Sequence, residues 1–312
     1  MTKIAWVFPG QGAQSVGMGR ELYQEFPEAR DVLETADQVL GQGFVRMIFR
    51  GPLDELVLTK NAQPALCAVG VACAKVAMSH GLRPDMLGGL SLGEYTALVV
   101  ANTLGLEDAL LLTRRRGEYM QEACPPGQGA MAAVLGLSCA EVEAICFDAE
   151  KLGIVAGANY NCPGQVVISG HKRAVEYVMR QVRMRGGRSV PLLVSAPFHC
   201  ELMAPAAKRL AKDLDRVTVK TPEIPVYSNV NGEVLRSASA VKEALIEQVT
   251  SPVLWQVQVE AMIRDGAGLF VEMGPGKSLT GFLKRINPGV TGISFVEPKE
   301  LGPLLDAVEE AR

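Results

Sequence analysis

A serine between two glycines is the first feature of this sequence that could do chemistry. Gly89-Leu90-Ser91-Leu92-Gly93 has the Gly-x-Ser-x-Gly pattern of a nucleophile elbow, a sharp turn from a strand into a helix that exposes the serine hydroxyl. The residues on either side are compatible with such an elbow, because residues 86–87 can form a short buried strand and residues 94–101 can form a helix. Ser91 is therefore a predicted nucleophile. The alternative is a tight turn in a chain that contains 32 glycines.

A serine nucleophile needs a general base, usually a histidine, and the chain has three histidines. His80 stands at a predicted helix end, where histidine commonly caps carbonyl groups. His171 stands in a turn before a basic helix, whereas His199 lies in the loop Ser195-Ala196-Pro197-Phe198-His199-Cys200. His199 is the predicted base by elimination. No acidic residue is evidently placed to orient it, and a backbone carbonyl is the alternative partner for its Nδ1.

Arg116 is predicted to face inward from an amphipathic helix over residues 106–121. At about 100° per residue it shares a face with Leu112 and Met120, while Arg114 points nearly the opposite way. A buried guanidinium without a partner is costly. Three interpretations remain open: an ion pair with a distant carboxylate, an aliphatic stem that reaches towards solvent, or a ligand carboxylate held by two nitrogens.

Two glycine loops have the composition of phosphate-binding loops but not the spacing. Gly10-Gln11-Gly12 follows an apolar strand predicted at residues 4–8, and the next glycine is Gly17, so a dinucleotide fingerprint is excluded. This loop is either a ligand loop or a simple turn. Gly274-Pro275-Gly276-Lys277-Ser278 fails as a phosphate loop because Val271 stands where the first glycine belongs.

The elements that must position these residues form a large α/β unit interrupted by a smaller module. In the large unit, residues 16–40 and 63–78 are predicted as helices. The smaller module reads strand-helix-strand-strand-helix-strand, which is typical of a ferredoxin-like fold. Its predicted strands are residues 131–137, 154–158, 165–169 and 189–194, and its predicted helices are residues 140–151 and 172–185. The expected domains are therefore a discontinuous catalytic domain, 1–126 and 198–312, and an inserted domain, 127–197.

The second helix of the inserted module is basic, and it is either a solvated face or a dock for an acidic partner. The whole chain is not basic: 31 Lys and Arg stand against 34 Asp and Glu, which argues against a nucleic-acid binder. The apolar run at the N-terminus is too short for a signal peptide, and Lys75 and Glu94 interrupt the best candidates for a membrane span. Seven cysteines without Cys-x-x-Cys spacing favour a reduced, cytoplasmic protein without a zinc site.

Several motifs in order resemble those of the bacterial malonyl-CoA:acyl-carrier-protein transacylases, from Phe8 to Arg285. They are Gly10-Gln11-Gly12, the elbow through Tyr95, Arg116-Gly117, the stretch 159–165, Ser195 to His199, Gln248 before Ser251-Pro252-Val253, and Gly274-Pro275-Gly276. The resemblance implies an α/β-hydrolase-like large domain with an inserted ferredoxin-like small domain.

The resemblance also implies a role for each matching residue. Ser91 is the acyl-accepting nucleophile and His199 its base. The backbone amides of Gln11 and Leu92 form the oxyanion hole. Arg116 binds the malonyl carboxylate, and the main-chain carbonyl of Gln248 orients His199.

The implied activity moves malonyl from malonyl-CoA to the phosphopantetheine thiol of acyl carrier protein. It needs no cofactor or metal, and it supplies fatty-acid synthesis or, as the alternative, a polyketide synthase. The expected protein is cytoplasmic and monomeric, and it binds neither nucleic acid nor membrane.

One position departs from the family, because Leu90 stands where histidine usually precedes the nucleophile. This difference puts acyl or acceptor selectivity, and turnover, in question. Two other functions therefore remain open: a serine hydrolase that uses the same Ser91 and His199, and a silent module that binds the carrier protein.

Overall fold

The computed structural model describes residues 2–194 and 196–312, which form two α/β units of different size. The strands in chain order are β1 Lys3–Phe8, β2 Met86–Gly89, β3 Gly129–Leu135, β4 Val155–Cys162, β5 Gln165–His171, β6 Arg188–Pro191, β7 Ala267–Met273 and β8 Thr291–Phe295. The helices are α1 Arg20–Glu25, α2 Pro27–Leu40, α3 Phe44–Arg50, α4 Leu53–Leu56, α5 Thr59–Ser79, α6 Gly93–Val100, α7 Leu106–Glu122, α8 Cys139–Ala149, α9 Lys172–Met184, α10 Ala204–Leu214, α11 Ala238–Glu247, α12 Trp255–Arg264, α13 Ser278–Ile286 and α14 Leu301–Ala311. Ser195, which belongs to the predicted loop of His199, lies outside the described residues.

The larger sheet is parallel, with the strand order β2-β1-β7-β8. The side chains of the central strand β1 explain why this sheet forms. Ile4, Trp6 and Phe8 pack into one core, and Ala5 and Val7 pack into a second core on the opposite face. A parallel sheet covered on both faces requires such continuous apolar strands. Register pairs Phe8 with Gly89, so the ends of β1 and β2 meet at the elbow.

The smaller sheet is antiparallel, with the strand order β4-β5-β3-β6. Helices α8 and α9 pack on it through a core of their own that includes Ile145 and Val178. The strand-helix-strand-strand-helix-strand pattern and this strand order are those of a ferredoxin-like fold. The exact domain boundaries, 127 and 197, remain a prediction.

Strand β4 ties the smaller sheet to the larger unit. Tyr160 N donates to Val253 O over 2.9 Å, and Val253 N donates to Ala158 O over 2.8 Å. Val253 lies five residues after Gln248. The inserted module is therefore hydrogen-bonded to the segment that carries a predicted site residue.

Some predicted element boundaries were wrong, for identifiable reasons. Residues 16–40 form two helices instead of one, because Gly17 and Gly19 adopt positive φ before α1 and Pro27 starts α2. Strand β6 ends at Pro191, short of the predicted residue 194, because proline has no N–H to donate to a sheet.

Helix α5 has a longer apolar stretch than the sequence analysis expected. It is long and apolar enough to cross a membrane by length and composition, so Lys75 does not interrupt it as expected. In the structure 83% of its apolar window is buried. It packs against α2 and α7 as the central helix of the larger unit.

Candidate active site

The turn between β2 and α6 has the geometry of a nucleophile elbow. Ser91 has a φ of 55°, which is rare for a residue other than glycine and marks strain. A Cβ on Gly89 would lie 1.9 Å from the Gly93 carbonyl carbon, and one on Gly93 would lie 2.2 Å from Phe8 O. Both flanking positions therefore require glycine.

Ser91 lies next to the predicted base. Its Oγ is 2.8 Å from His199 Nε2, and His199 Nδ1 is 2.8 Å from the main-chain oxygen of Gln248. Because a carbonyl oxygen only accepts, Nδ1 carries the proton and Nε2 is left free to accept one. The contact expected between Gln248 and His199 is thus present, and the roles of these residues remain to be tested.

His199 is only 4% exposed. Burial, with help from the nearby Arg116 cation, lowers the pKa of His199 to about 3, against two backbone hydrogen bonds that raise it. A neutral imidazole is the form that can act as a base. The other two histidines lie elsewhere: Nδ1 of His80 contacts Val76 O, and Nδ1 of His171 accepts from Ile154 N, both at 2.9 Å.

Arg116 faces inward, as predicted, and is 1% exposed. Its Nη2 donates to Ser91 Oγ over 3.1 Å and to Gln248 Oε1 over 2.8 Å, and its Nη1 donates to Gln63 Oε1 over 2.8 Å. Within residues 2–194 and 196–312 no carboxylate pairs with it, and its Nε has no hydrogen-bond partner. The interpretations of a direct ion pair with a distant carboxylate and of a solvent-reaching stem are therefore wrong, and a cation without a directly paired carboxylate faces the nucleophile.

Three polar residues that were not predicted as site residues lie around Ser91 and Arg116: Asn229, Glu94 and Gln63, the last of which contacts Arg116. Asn229 Nδ2 donates to Gly89 O, and its Oδ1 accepts from Ser91 N, each over 2.6 Å. Glu94, fully buried, accepts from Asn229 N over 3.3 Å and from Gln248 Nε2. Burial raises the pKa of Glu94 to about 7, although its hydrogen bonds and Arg116 act in the opposite direction.

Only a weak signal in the sequence could have revealed these residues. Glu94 directly follows the elbow glycine, and Gln63 lies in the second turn of α5, just before the long apolar stretch of that helix. Asn229 stands 138 residues after Ser91 and has no motif of its own.

Gln11 and Leu92 line the same cavity as Ser91, His199 and Arg116, with a volume of about 520 Å³. The side chain of Gln11 donates to Thr59 Oγ1 over 3.2 Å, and Leu92 lies at the N-terminus of α6. Their amides as an oxyanion hole remain a prediction. Leu90 forms part of the cavity wall, which is completed by Asn159, Asn161 and Gln165 of the smaller sheet.

No group of three or more His, Cys, Asp or Glu side chains that could hold a metal ion occurs in the described part of the chain. All seven cysteines are free thiols, and six of them are buried.

Comparison with known proteins places this chain in a family. Residues 5–287 match the model of the acyl transferase domain. The malonyl CoA-acyl carrier protein transacylase of Bacillus subtilis (strain 168) is 42% identical over 312 residues, covering 99% of this chain and 98% of its own length. The chain belongs to the malonyl CoA-acyl carrier protein transacylase family.

Other members of the transacylase family are similar to this chain in sequence and in structure. The protein of Escherichia coli (strain K12) with the same name is 41% identical over 98% of this chain and its full length. An acyl carrier protein S-malonyltransferase from Vibrio cholerae superposes with a TM-score of 0.94 at 42% identity, covering 98% and 100% of the two chains. A malonyl-transacylase solved in complex with its type II PKS acyl-carrier protein has a TM-score of 0.96 at 39% identity, covering 98% and 100%.

As a member of this transacylase family the chain is an acyltransferase. The solved structures also confirm the predicted fold class, an α/β-hydrolase-like large domain with an inserted ferredoxin-like small domain.

Proposed function

We propose that this acyltransferase moves a malonyl group from malonyl-CoA to the phosphopantetheine thiol of acyl carrier protein through a malonyl-serine intermediate. One observation carries the proposal: Ser91 Oγ contacts His199 Nε2 at 2.8 Å and Arg116 Nη2 at 3.1 Å. A nucleophile with its base on one side and a buried cation on the other suits an acyl donor that carries a carboxylate.

In the first half-reaction Ser91 Oγ attacks the thioester carbonyl of malonyl-CoA, and its proton passes to His199 Nε2. The backbone amides of Gln11 and Leu92 hold the oxyanion, and each such donor typically contributes about 3 kcal/mol to stabilising the transition state. The C–S bond then breaks. The CoA thiolate takes the proton from His199, and a malonyl ester remains on Ser91.

The second half-reaction runs through the same groups in reverse. The phosphopantetheine thiol gives its proton to His199, and its sulfur attacks the ester carbonyl. The C–O bond to Ser91 breaks, and the serine recovers its proton from His199. This is a ping-pong cycle in which every step uses groups of this one chain, so we propose a monomer that needs no cofactor.

Arg116 supplies the selectivity in this proposal. A malonyl carboxylate can take the free donors of the guanidinium, whereas an acetyl group would leave the buried cation without a directly paired anion, at a cost of several kcal/mol. This cation also argues against a general serine hydrolase, which does not need it. The intact contact between Ser91 and His199 argues against a silent binding module.

The names of the relatives support acyl carrier protein as the partner. We propose fatty-acid synthesis, rather than a dedicated polyketide role, as the purpose. We propose that the protein acts in the cytoplasm, where a CoA thioester and a reduced thiol acceptor are both present.

Intact-protein mass spectrometry after brief mixing with malonyl-CoA tests the proposal. We expect a malonyl adduct on the wild type, none on Ser91→Ala, little with acetyl-CoA, and loss of the adduct when holo acyl carrier protein is added. Rapid release of free malonate without an acceptor would instead support a hydrolase. Absence of both adduct and released CoA would support the binding module.

A further inference from the structure

A buried cation that must receive a ligand poses a physical problem. Arg116 is fully enclosed, yet its three hydrogen-bond acceptors, on Gln63, Gln248 and Ser91, are all uncharged. A carboxylate paired directly with the guanidinium would compete with the acyl donor for the same N–H groups. Without any counter-charge, the buried cation would be strongly unfavourable.

Glu94 supplies a counter-charge without binding the guanidinium directly, because the side chain of Gln248 lies between the two. Its carboxylate accepts from Gln248 Nε2, and Gln248 Oε1 accepts from Arg116 Nη2, so the side-chain amide of Gln248 separates the two charges. Glu94 itself is completely buried, and no cation forms an ion pair with it within residues 2–194 and 196–312.

The orientation of the Gln248 amide is fixed by the same contacts. Its Nε2 also donates to Ser91 O over 3.0 Å, and its Oε1 faces Arg116, which can only donate. The three groups around this amide therefore agree on one orientation. Because Nη2 of Arg116 bonds both Gln248 Oε1 and Ser91 Oγ, the position of Gln248 determines where the cation lies relative to the nucleophile.

A carboxylate is the group that fits at position 94. One of its oxygens faces the backbone N–H of Asn229 and the other faces Gln248 Nε2, so both partners are donors. These donors and the Arg116 cation favour the ionised form, against the burial that raises the pKa of Glu94. A glutamine at this position would have to place its own NH₂ against one of the two donors. Either orientation loses a hydrogen bond and removes the negative charge.

We propose that Glu94 is a positioning residue for acyl-donor selectivity: through Gln248 it holds the Arg116 guanidinium beside Ser91 and balances its charge without occupying it. The inference rests on the proposed function, since it assumes that Arg116 receives the malonyl carboxylate. Glu94 touches neither the substrate nor the reacting atoms.

The test compares the rates of Ser91 acylation by malonyl-CoA and acetyl-CoA, followed as adduct mass on rapid quenching. In Glu94→Gln we expect the malonyl-to-acetyl ratio to fall at least about tenfold, mainly through slower malonyl loading, because the cation loses a charged network. Asp213→Asn is the matched control, since it also alters a buried carboxylate, bound to Arg115 and Tyr119. It is expected to lose stability and keep the ratio.

A second variant covers the case in which Glu94→Gln does not fold. Gln248→Met removes the side-chain hydrogen bonds to Arg116, Glu94 and the main-chain oxygen of Ser91. It keeps the length of the side chain and the main-chain oxygen that contacts His199, so it should lower the ratio in the same way. Equal losses in both rates, or an unchanged ratio in the folded variants, would overturn the role of Glu94 alone. A wild type without preference for malonyl would overturn the proposed function and this inference with it.

Discussion

The hydroxyl of Ser91 lies 2.8 Å from Nε2 of His199, although 108 residues separate the two in the chain. Ser91 is held in a strained turn at the end of a parallel strand, and His199 follows the chain's return from the inserted module. Both residues have positive φ, at 55° and 58°. The fold thus fixes both partners of the proposed proton transfer in unusual backbone conformations.

Removal of the base should slow acylation without unfolding the protein. We expect His199→Ala to form the malonyl adduct about 10²- to 10⁴-fold more slowly, because proton transfer from Ser91 then falls to water. Rapid-quench mass spectrometry gives the rate, and far-UV circular dichroism checks the fold. A loss smaller than about tenfold would mean that another group takes the proton.

The guanidinium of Arg116 should not be replaceable by an ammonium. Arg116→Lys cannot reach Gln63, Gln248 and Ser91 together, so malonyl loading should fall by at least about tenfold. Arg114→Lys is the control, because Arg114 lies on the same helix but donates to Asn61 outside the cavity. Equal effects of the two substitutions would argue against a specific carboxylate site.

The buried imidazole of His199 should make stability depend on pH. Its pKa is lowered to about 3, from 6.5 for an unperturbed histidine, so the unfolded chain binds a proton first as the pH falls. Below about pH 6.5 the wild type should lose stability relative to His199→Gln, with a slope of at most about 1.4 kcal/mol per pH unit. Urea unfolding of both proteins at several pH values measures it, and parallel curves would contradict a buried neutral histidine.

The unusual Leu90 should affect binding more than chemistry. Leu90 lines the cavity, but neither of the hydrogen bonds made by the Ser91 hydroxyl involves it. We therefore expect Leu90→His to change the KM for malonyl-CoA or for the carrier protein while kcat stays within about threefold. Steady-state kinetics with each substrate varied in turn separates the two constants. A large rise in kcat would show that Leu90 limits turnover.

The elbow glycines should tolerate no side chain. A Cβ on Gly93 would lie 2.2 Å from Phe8 O, so Gly93→Ala should cost at least about 3 kcal/mol of unfolding free energy. Gly302→Ala is the matched control, because no atom lies within 4 Å of its added Cβ and the residue is in a helix. It should be neutral or stabilising by up to about 1 kcal/mol. Urea unfolding compares the two variants.

Most of the elements and the chemically active residue types can be predicted from the sequence alone. The pattern around Ser91 predicts a strand, a turn and a helix because glycine spacing and apolar runs act locally, and β2 and α6 lie where they were expected. The inward face of Arg116 follows from helical periodicity in the same way, and its burial confirms it. The inserted module could also be predicted from the sequence, since its alternation of strands and helices is a local property.

The hydrogen-bond and charge partners of these residues depend on the tertiary structure. Gln63 contacts Arg116, Asn229 contacts the elbow, and Glu94 contacts Asn229 and Gln248, each across a long separation in the chain. No local pattern records contacts across such distances. The choice among the three interpretations of Arg116 likewise depended on what the fold places around it. Local propensity depends on neighbours in the chain, whereas the hydrogen bonds and charge of a buried site depend on neighbours in space.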